Sequence, residues 1–459
     1  MPLPVILIFD IGKTNKKLFL FDRQYKVVYE KCTQLLETED EDGFPCEEVV
    51  ELTSWIITSF REVLSDDRYK IMGVNVSAYG ASFVHINQKG EAFLPLYNYL
   101  KPMDETIQKQ FYDAYGNKNK IAKETASPVL GNLNSGLQLY WLHHAKPESY
   151  ARIHYSIHLP QYIIFALCGA VYSDITSIGC HTALWNFNEG KYHDWVYKEG
   201  IDKKLAPLIA NTAFADIIDE MPFGSGLHDS SAALVPYLSV FREPFILLST
   251  GTWNISLNPF NHSELTADEL EADCLCYFSY GGSAVKASRL FAGYDHEQQV
   301  KRLASYYHVS PGYINTIPYQ AALCNRLQKT GKKPAHESQS AFLKSSVFAQ
   351  RNLPDFESCD KAYHQLVFDI VTQQAASTKL VMQDTPVKAL FVDGGFSKND
   401  VFMNMLATAF PTLEVYAARV AQASAIGAAI ALQMNRDKPF LPKDLISVTR
   451  FEPSREVVF

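Results

Sequence analysis

The sequence predicts an α/β protein built as two lobes of related architecture. Three observations carry that expectation. An apolar strand at the N-terminus runs through a turn-rich loop into a second strand. The same pattern returns near residue 245. Between and after these hairpins, apolar runs of strand length alternate with segments of helical periodicity. The length of 459 residues suits two or three domains, at about 150 residues each. The expected lobes are 1–240 and 241–440, with 441–459 a polar, proline-containing tail over the surface.

Val5 to Phe9 is a continuous apolar run, and strands at Lys17–Phe21 and Lys26–Tyr29 follow. Their connectors, Asp10 to Asn15 and Asp22 to Tyr25, are rich in turn formers, so the three strands read as an antiparallel meander. Leu52, Trp55, Ile56, Phe60, Val63 and Leu64 keep helical spacing over 47–64, and Ile71–Ser77 is another buried strand. Helices are expected over 136–144 and 161–167. In the second half, Phe245–Leu257 reads as strand, Gly-Thr loop and strand. A long helix over 362–382, a strand at 389–395 and a helix over 399–410 follow. The helix over 421–433 is largely alanine with Gly427 inside, which lets it approach a neighbouring backbone or a ligand closely.

Hydrophobic residues make up 47% and charged residues 20%, which excludes a mainly disordered or collagen-like chain. The net charge of −8 makes general nucleic-acid binding a poor reading. No apolar run approaches the roughly 18 residues that cross a bilayer. The N-terminus lacks a basic stretch and Asp10 cuts its apolar run short, so no signal peptide is read. Of the eight cysteines only Cys274 and Cys276 form a tight pair. No second Cys or His pair stands near it at ligand spacing, so zinc is not expected and reduced thiols in a cytoplasmic protein are.

Four segments carry candidate chemistry. Asp10-Ile-Gly-Lys-Thr-Asn-Lys-Lys17 ends a strand in an acid and opens a tight loop containing Gly12, Thr14 and two lysines. Loop amides can cradle phosphate, and Asp10 can hold the hydration shell of Mg²⁺. A Walker A reading fails, because no glycine stands five residues before Gly12 and the loop leads into a strand. The competing reading is a plain hairpin turn. Ser249-Thr250-Gly251-Thr252 repeats the hydroxyl-and-glycine loop in the second lobe. Asp393-Gly394-Gly395 to Asn399 joins a strand to a helix N-terminus, which suits a nucleotide, or simply a turn with an Asn cap. Gly224-Ser-Gly226-Leu-His228-Asp229 sets a carboxylate at a helix start, where it can take the proton of a hydroxyl nucleophile, or merely cap the helix.

In this order the four segments resemble the FGGY family of carbohydrate kinases, over about residues 5–435. Leu139–Leu142, Pro147–Tyr150, Leu159–Ile163 and Ser173–Ser177 are similar to the family's N-terminal lobe, and Gln422–Ala429 to its closing helix. The resemblance implies the two-lobed sugar kinase/actin/Hsp70 (ribonuclease H-like) fold with a central nucleotide cleft. It also implies ATP-dependent phosphorylation of a sugar hydroxyl, with ATP and Mg²⁺ as cofactors. Carried over residue by residue, Asp229 becomes the general base and Asp10 the metal carboxylate. Gly12, Thr14, Asn15, Lys16, Thr250, Gly251, Thr252, Gly394, Gly395 and Asn399 become nucleotide contacts. Ser77, Tyr79, Asn98, Tyr99 and His228 stand as sugar contacts beside Asp229.

The His-Asp pair is closest to the rhamnulokinase and fuculokinase branch. The expected substrate is a ketose, either a 6-deoxy-ketohexose such as rhamnulose or fuculose, or a pentulose. A polyol or glycerol kinase on the same fold is the alternative, as is a non-catalytic actin-like nucleotide-binding regulator. Lys13 replaces the family's usual Thr, Gln422 its frequent Glu, and Gln161 the Asp of its Asp-Tyr pair. Expected partners are small molecules, with no nucleic acid and no membrane, and a homodimer among the expected assemblies.

Overall fold

The computed structural model describes residues 1–209, 213–330, 338–420, 422–435 and 441–453. The chain divides into two compact units: one comprises 1–240, 276–284 and 421–445, the other 241–275, 285–420 and 446–459.

In the first unit strand Leu3–Ile11 pairs antiparallel with Lys16–Phe21, which pairs antiparallel with Val27–Thr33. Helix Val49–Leu64 then returns the chain so that Tyr69–Ala78 lies parallel to the first strand. Short strands Met221–Phe223 and Asp216–Ile218 extend this edge, and Leu227–His228 pairs with the end of Tyr69–Ala78. Both faces of the central strand are covered, so Leu7, Ile8 and Phe9 are all buried and the sequence shows a continuous apolar run. The helix lays Leu52, Ile56, Phe60 and Val63 on one face, and Trp55 meets Phe9 edge-on at 5.9 Å.

The second unit repeats this wiring. Phe245–Thr250 pairs antiparallel with Asn254–Asn258, which pairs antiparallel with Ala284–Leu290. Helix Cys359–Met382 precedes Ala389–Gly394, which lies parallel to Phe245–Thr250. Helix Asp400–Ala409 then leads to a further parallel strand, Glu414–Arg419. The hairpin, crossover helix and parallel strand expected from the sequence are therefore present twice.

Two placements differ from the sequence reading. Helix Ala423–Met434, expected with the C-terminal lobe, clusters with the first unit. Its small residues explain why: a Cβ built on Gly427 would stand 1.8 Å from the Ala232 carbonyl oxygen, so only a bare backbone permits the approach to helix Asp229–Val240. Asn75 Nδ2 secures the contact by donating to the Ala428 carbonyl at 2.9 Å. The expected surface tail contains strand Ser447–Phe451, which pairs with Glu414–Arg419 and is largely exposed. Residues 454–459 of that tail lie outside the described residues.

Candidate active site

Asp229 is delivered by a compressed loop. Gly226 has φ +67°, and a Cβ there would lie 2.8 Å from the Pro160 carbonyl oxygen. A Cβ on Gly224 would stand 2.4 Å from Asn75 Cγ. Gln161, which replaces the family's acid, donates from Nε2 to the carbonyls of Ser225 (3.1 Å) and Gly226 (2.8 Å). Asn75 Oδ1 accepts from the Gly226 amide at 3.0 Å. Held from both sides, the loop places Asp229 as the first residue of helix Asp229–Val240.

The Asp229 carboxylate enters a pocket of about 340 Å³ that it shares with Asp10, Gly12, Thr14, Asn15 and Lys17 of the first hairpin, and with Gln422 and Ser424. Ser424 donates to Asp10 Oδ1 at 2.9 Å. Gln422 holds a left-handed backbone (φ 58°, ψ 52°), a conformation that costs a non-glycine residue energy and concentrates at functional sites. Water reaches Asp229, whose side chain is 41% exposed, yet protein surrounds it closely. Desolvation pushes its acid up to about 6, against hydrogen bonds from Ser230 that favour the ionised form. Asp10 is also raised to about 6, first by burial and then by the Asp229 charge, with the Ser424 and Ser77 hydroxyls opposing. Two carboxylates in one pocket, both made harder to ionise, form a site that gains from a hard cation or a proton.

Lys16, expected at the phosphate, is placed elsewhere. Side chains alternate along a strand, so Lys16 and Lys17 point to opposite faces of Lys16–Phe21. Lys16 is 1% exposed, and its ammonium pairs with Glu47 at 2.8 Å. It also donates to the carbonyls of Gly12 (3.0 Å) and Lys13 (2.8 Å). Lys16 braces the loop from behind, while Lys17, directly opposite Asp10 in the ladder, lines the pocket. Lys13, where the family has Thr, joins the same buried acid at 3.1 Å and also reaches Glu37.

The expected sugar contacts separate in the same way. Ser77 is buried beside Asp10 in the parallel ladder. Tyr79 gives its hydroxyl to Glu47 at 2.8 Å and thus belongs to the Lys13–Lys16–Glu47 brace. Tyr99 meets Tyr79 edge-on at 6.1 Å, and its phenol is raised by burial, with the Asp229 charge contributing. Asn98 stabilises a turn, its Oδ1 accepting from the Leu100 amide at 3.0 Å. His228 Nε2 lies 3.2 Å from Asp229 Oδ1, and burial drives the imidazole down to about 3, so it is neutral. Lys17 closes the candidate segment without being assigned to the site, and Ser424 was missed from sequence. Strand alternation against Asp10 was the available signal for Lys17; for Ser424 there was none, since it depends on where the alanine helix docks.

In the second unit the remaining candidates come together. Thr250 Oγ1 donates to the Asp393 carbonyl at 2.5 Å and accepts from the Phe396 amide at 3.0 Å. The Gly395 amide donates to the Thr250 carbonyl at 3.0 Å. Gly394 has φ +88°, and a Cβ there would stand 1.9 Å from Thr250 O. Gly251, Thr252, Gly394 and Gly395 are exposed along this junction. Asn399 caps helix Asp400–Ala409 through the Phe402 amide (3.0 Å) and donates to the Tyr363 hydroxyl at 2.8 Å.

Residues 5–235 match the FGGY family of carbohydrate kinases, N-terminal domain, and residues 242–439 match carbohydrate kinase FGGY, C-terminal domain. L-fuculokinase of Escherichia coli K12 is 21% identical over 273 residues, 55% of this chain and 56% of that protein, so the chain spans about half the length of this curated relative. A carbohydrate kinase from Novosphingobium aromaticivorans has a similar structure, with a TM-score of 0.82 and 21% identity over 99% of this chain and 95% of that one. So has a ligand-bound xylulose kinase from Lactobacillus acidophilus, with a TM-score of 0.79 and 17% identity over 98% and 94%. Plasmodium falciparum glycerol kinase with ADP gives 0.76 and 15% over 98% and 94%. These likenesses show the sugar kinase/actin/Hsp70 fold. With both domain matches covering nearly the whole length, the chain belongs to the FGGY family of carbohydrate kinases, which are ATP-dependent phosphotransferases.

Proposed function

We propose that this chain transfers the γ-phosphoryl group of ATP to a hydroxyl of a ketose, with Asp229 as the general base. The reading favours a 6-deoxy-ketohexose such as rhamnulose or fuculose, or a pentulose; a polyol is the alternative substrate class. The observation that carries it is the juxtaposition of Asp229 with Asp10 and the Gly12–Thr14 hairpin in one pocket, its acid raised to about 6. A base of that strength is ionised at neutral pH and still able to accept a proton as the hydroxyl attacks. The sequence likeness to L-fuculokinase supports a ketose.

Asp10 supplies hard oxygen donors, and burial first, with the Asp229 charge adding to it, makes its carboxyl harder to ionise; Mg²⁺ fits there. Asp10 would hold the ion, which would supply positive charge to the transferring phosphoryl group. Lys17 adds a positive charge to the same wall, and Lys16 fixes the hairpin through its carbonyls. Thr250–Thr252 and Gly394–Gly395 would hold nucleotide in the second unit, with Asn399 fixing the helix that follows. Among the described residues no helix is long and apolar enough to cross a membrane. Six of the eight cysteines are buried, and we favour action in the cytoplasm, where thiols stay reduced.

The test is ATP consumption by the purified protein against a panel of ketoses, aldoses and polyols. A ketose should give the highest kcat/KM; preference for a polyol would replace the substrate assignment. Asp10→Asn should raise the Mg²⁺ concentration needed for half-maximal rate, and a titration that overlays wild type would remove Asp10 from the metal site.

A further inference from the structure

Behind Asp229 lies a cluster in which His228 meets two side chains, Cys180 and His181, to which the kinase reading gives no role. Cys180 and His181 follow the short helix Ile175–Ile178, and His228 ends strand Leu227–His228. All three are buried, at 0%, 8% and 4% exposure. One donor atom of each lies within 4.8 Å of the other two. Cys180 Sγ is 3.1 Å from His228 Nε2.

Tetrahedral zinc, with bonds of about 2.0–2.3 Å, sets its donors roughly 3.5 Å apart, so the three need only small adjustments to share an ion. His181 is already oriented. Its Nδ1 lies 3.0 Å from the Leu133 carbonyl, which can only accept, so the proton sits on Nδ1 and the lone pair on Nε2. The ring of His228 stacks on Tyr277 at 5.5 Å and 19°, which fixes its plane. Its Nδ1 has no hydrogen-bond partner, so the polar contacts of the ring lie on the Nε2 side, towards Cys180 and Asp229.

We propose that Cys180, His181 and His228 form a binding site for one borderline-soft divalent cation of the Zn²⁺ class, adjoining the Asp229 pocket. One thiolate and two imidazoles favour Zn²⁺ over Mg²⁺, because hard ions take oxygen donors. Binding displaces the thiol proton to solvent and forms an S–Zn bond. Three protein donors leave a fourth position, and Asp229 Oδ1, 3.2 Å from His228 Nε2, stands next to it. An ion there draws on the charge of Asp229 and inhibits phosphoryl transfer; that consequence rests on the kinase reading, whereas binding does not. The sequence hid the site because Cys180 and His181 are adjacent, with no spacing typical of metal ligands, and His228 stands 48 residues beyond Cys180.

Equilibrium dialysis with Zn²⁺ and titration with Co²⁺ test binding in the full chain without turnover. The expected result is one ion per chain and a thiolate-to-cobalt charge-transfer band in the near ultraviolet. Cys180→Ser should abolish the band. Cys180→Ser and His181→Ala should each weaken Zn²⁺ binding by at least the roughly 10–100-fold that loss of an outer partner costs at metal sites. Circular dichroism establishes that each variant folds, and two separate ligands keep the test open if one does not. No stoichiometric ion in the wild type, or unchanged affinity in both variants, overturns the site. Stoichiometric binding with turnover unaffected by Zn²⁺ overturns the inhibitory role.

Discussion

The two glycine-threonine hairpins share a wiring diagram and differ in almost everything around it. The hairpin Asp10–Lys17 is set among charges: Asp10 and Asp229 in front, and Lys13, Lys16 and Glu47 behind. The hairpin Thr250–Trp253 is held by backbone. Thr250 bonds the Asp393 carbonyl and the Phe396 amide, and a Cβ on Gly293 would come within 1.7 Å of Gly251 O. The first is an electrostatic device whose geometry depends on buried ion pairs. The second is a steric one whose geometry depends on missing side chains. One supersecondary unit can therefore serve charge neutralisation and close backbone approach, according to what packs against it.

Removing the base should produce the largest effect. Asp229→Ala is expected to lower kcat by roughly 10² to 10⁴, the usual contribution of one general base, with the fold retained. Steady-state kinetics at saturating sugar checks this, and near-wild-type kcat would make Asp229 a helix-start residue only.

The charged hairpin should then respond to its lysines in opposite ways. Lys16→Met leaves Glu47 buried beside Lys13 and Tyr79 alone, and should destabilise the protein by about 3 kcal/mol, the lower end for breaking a buried pair. Lys17→Met should leave stability within about 0.5 kcal/mol. It should raise KM for ATP roughly tenfold, the worth of one charge-assisted contact. Urea unfolding and ATP titrations separate the two, and equal stability losses would dissolve the distinction between brace and pocket wall.

The steric hairpin should respond to methyl groups. Gly394→Ala adds a Cβ 1.9 Å from Thr250 O at φ +88°, and should cost about 1–3 kcal/mol through overpacking. Gly12→Ala meets only Asn15 O at 3.3 Å, and should cost less than half as much. Thermal melts of the pair would reverse the contrast between the hairpins if Gly12→Ala proved the more damaging.

Much of this was legible in sequence where period and spacing are local. Leu52, Ile56, Phe60 and Val63 announced their helix, and Asp10 and Asp229 announced strand and helix ends. What was not legible depends on tertiary packing. Nothing local says that Lys16 turns inward to Glu47, 31 residues away, or that Gly427 lets its helix dock on Ala232 and bring Ser424 to Asp10. Tyr79 looked like a sugar contact because it ends a strand, but a buried carboxylate claims its hydroxyl.

The central claim is that Asp229 acts as a base tuned by burial. Its acid is raised to about 6, so the unprotonated, active form dominates above that pH and is lost as pH falls through it. The direct measurement is the pH dependence of kcat/KM for the best sugar at saturating Mg-ATP, from pH 4.5 to 8, with Asp229→Asn alongside. The wild type should lose activity tenfold per unit on the acid side with a midpoint near 6, and the variant should be slow at every pH. A wild-type rate that stays flat down to pH 4.5, or a variant that keeps the wild-type profile, would contradict it.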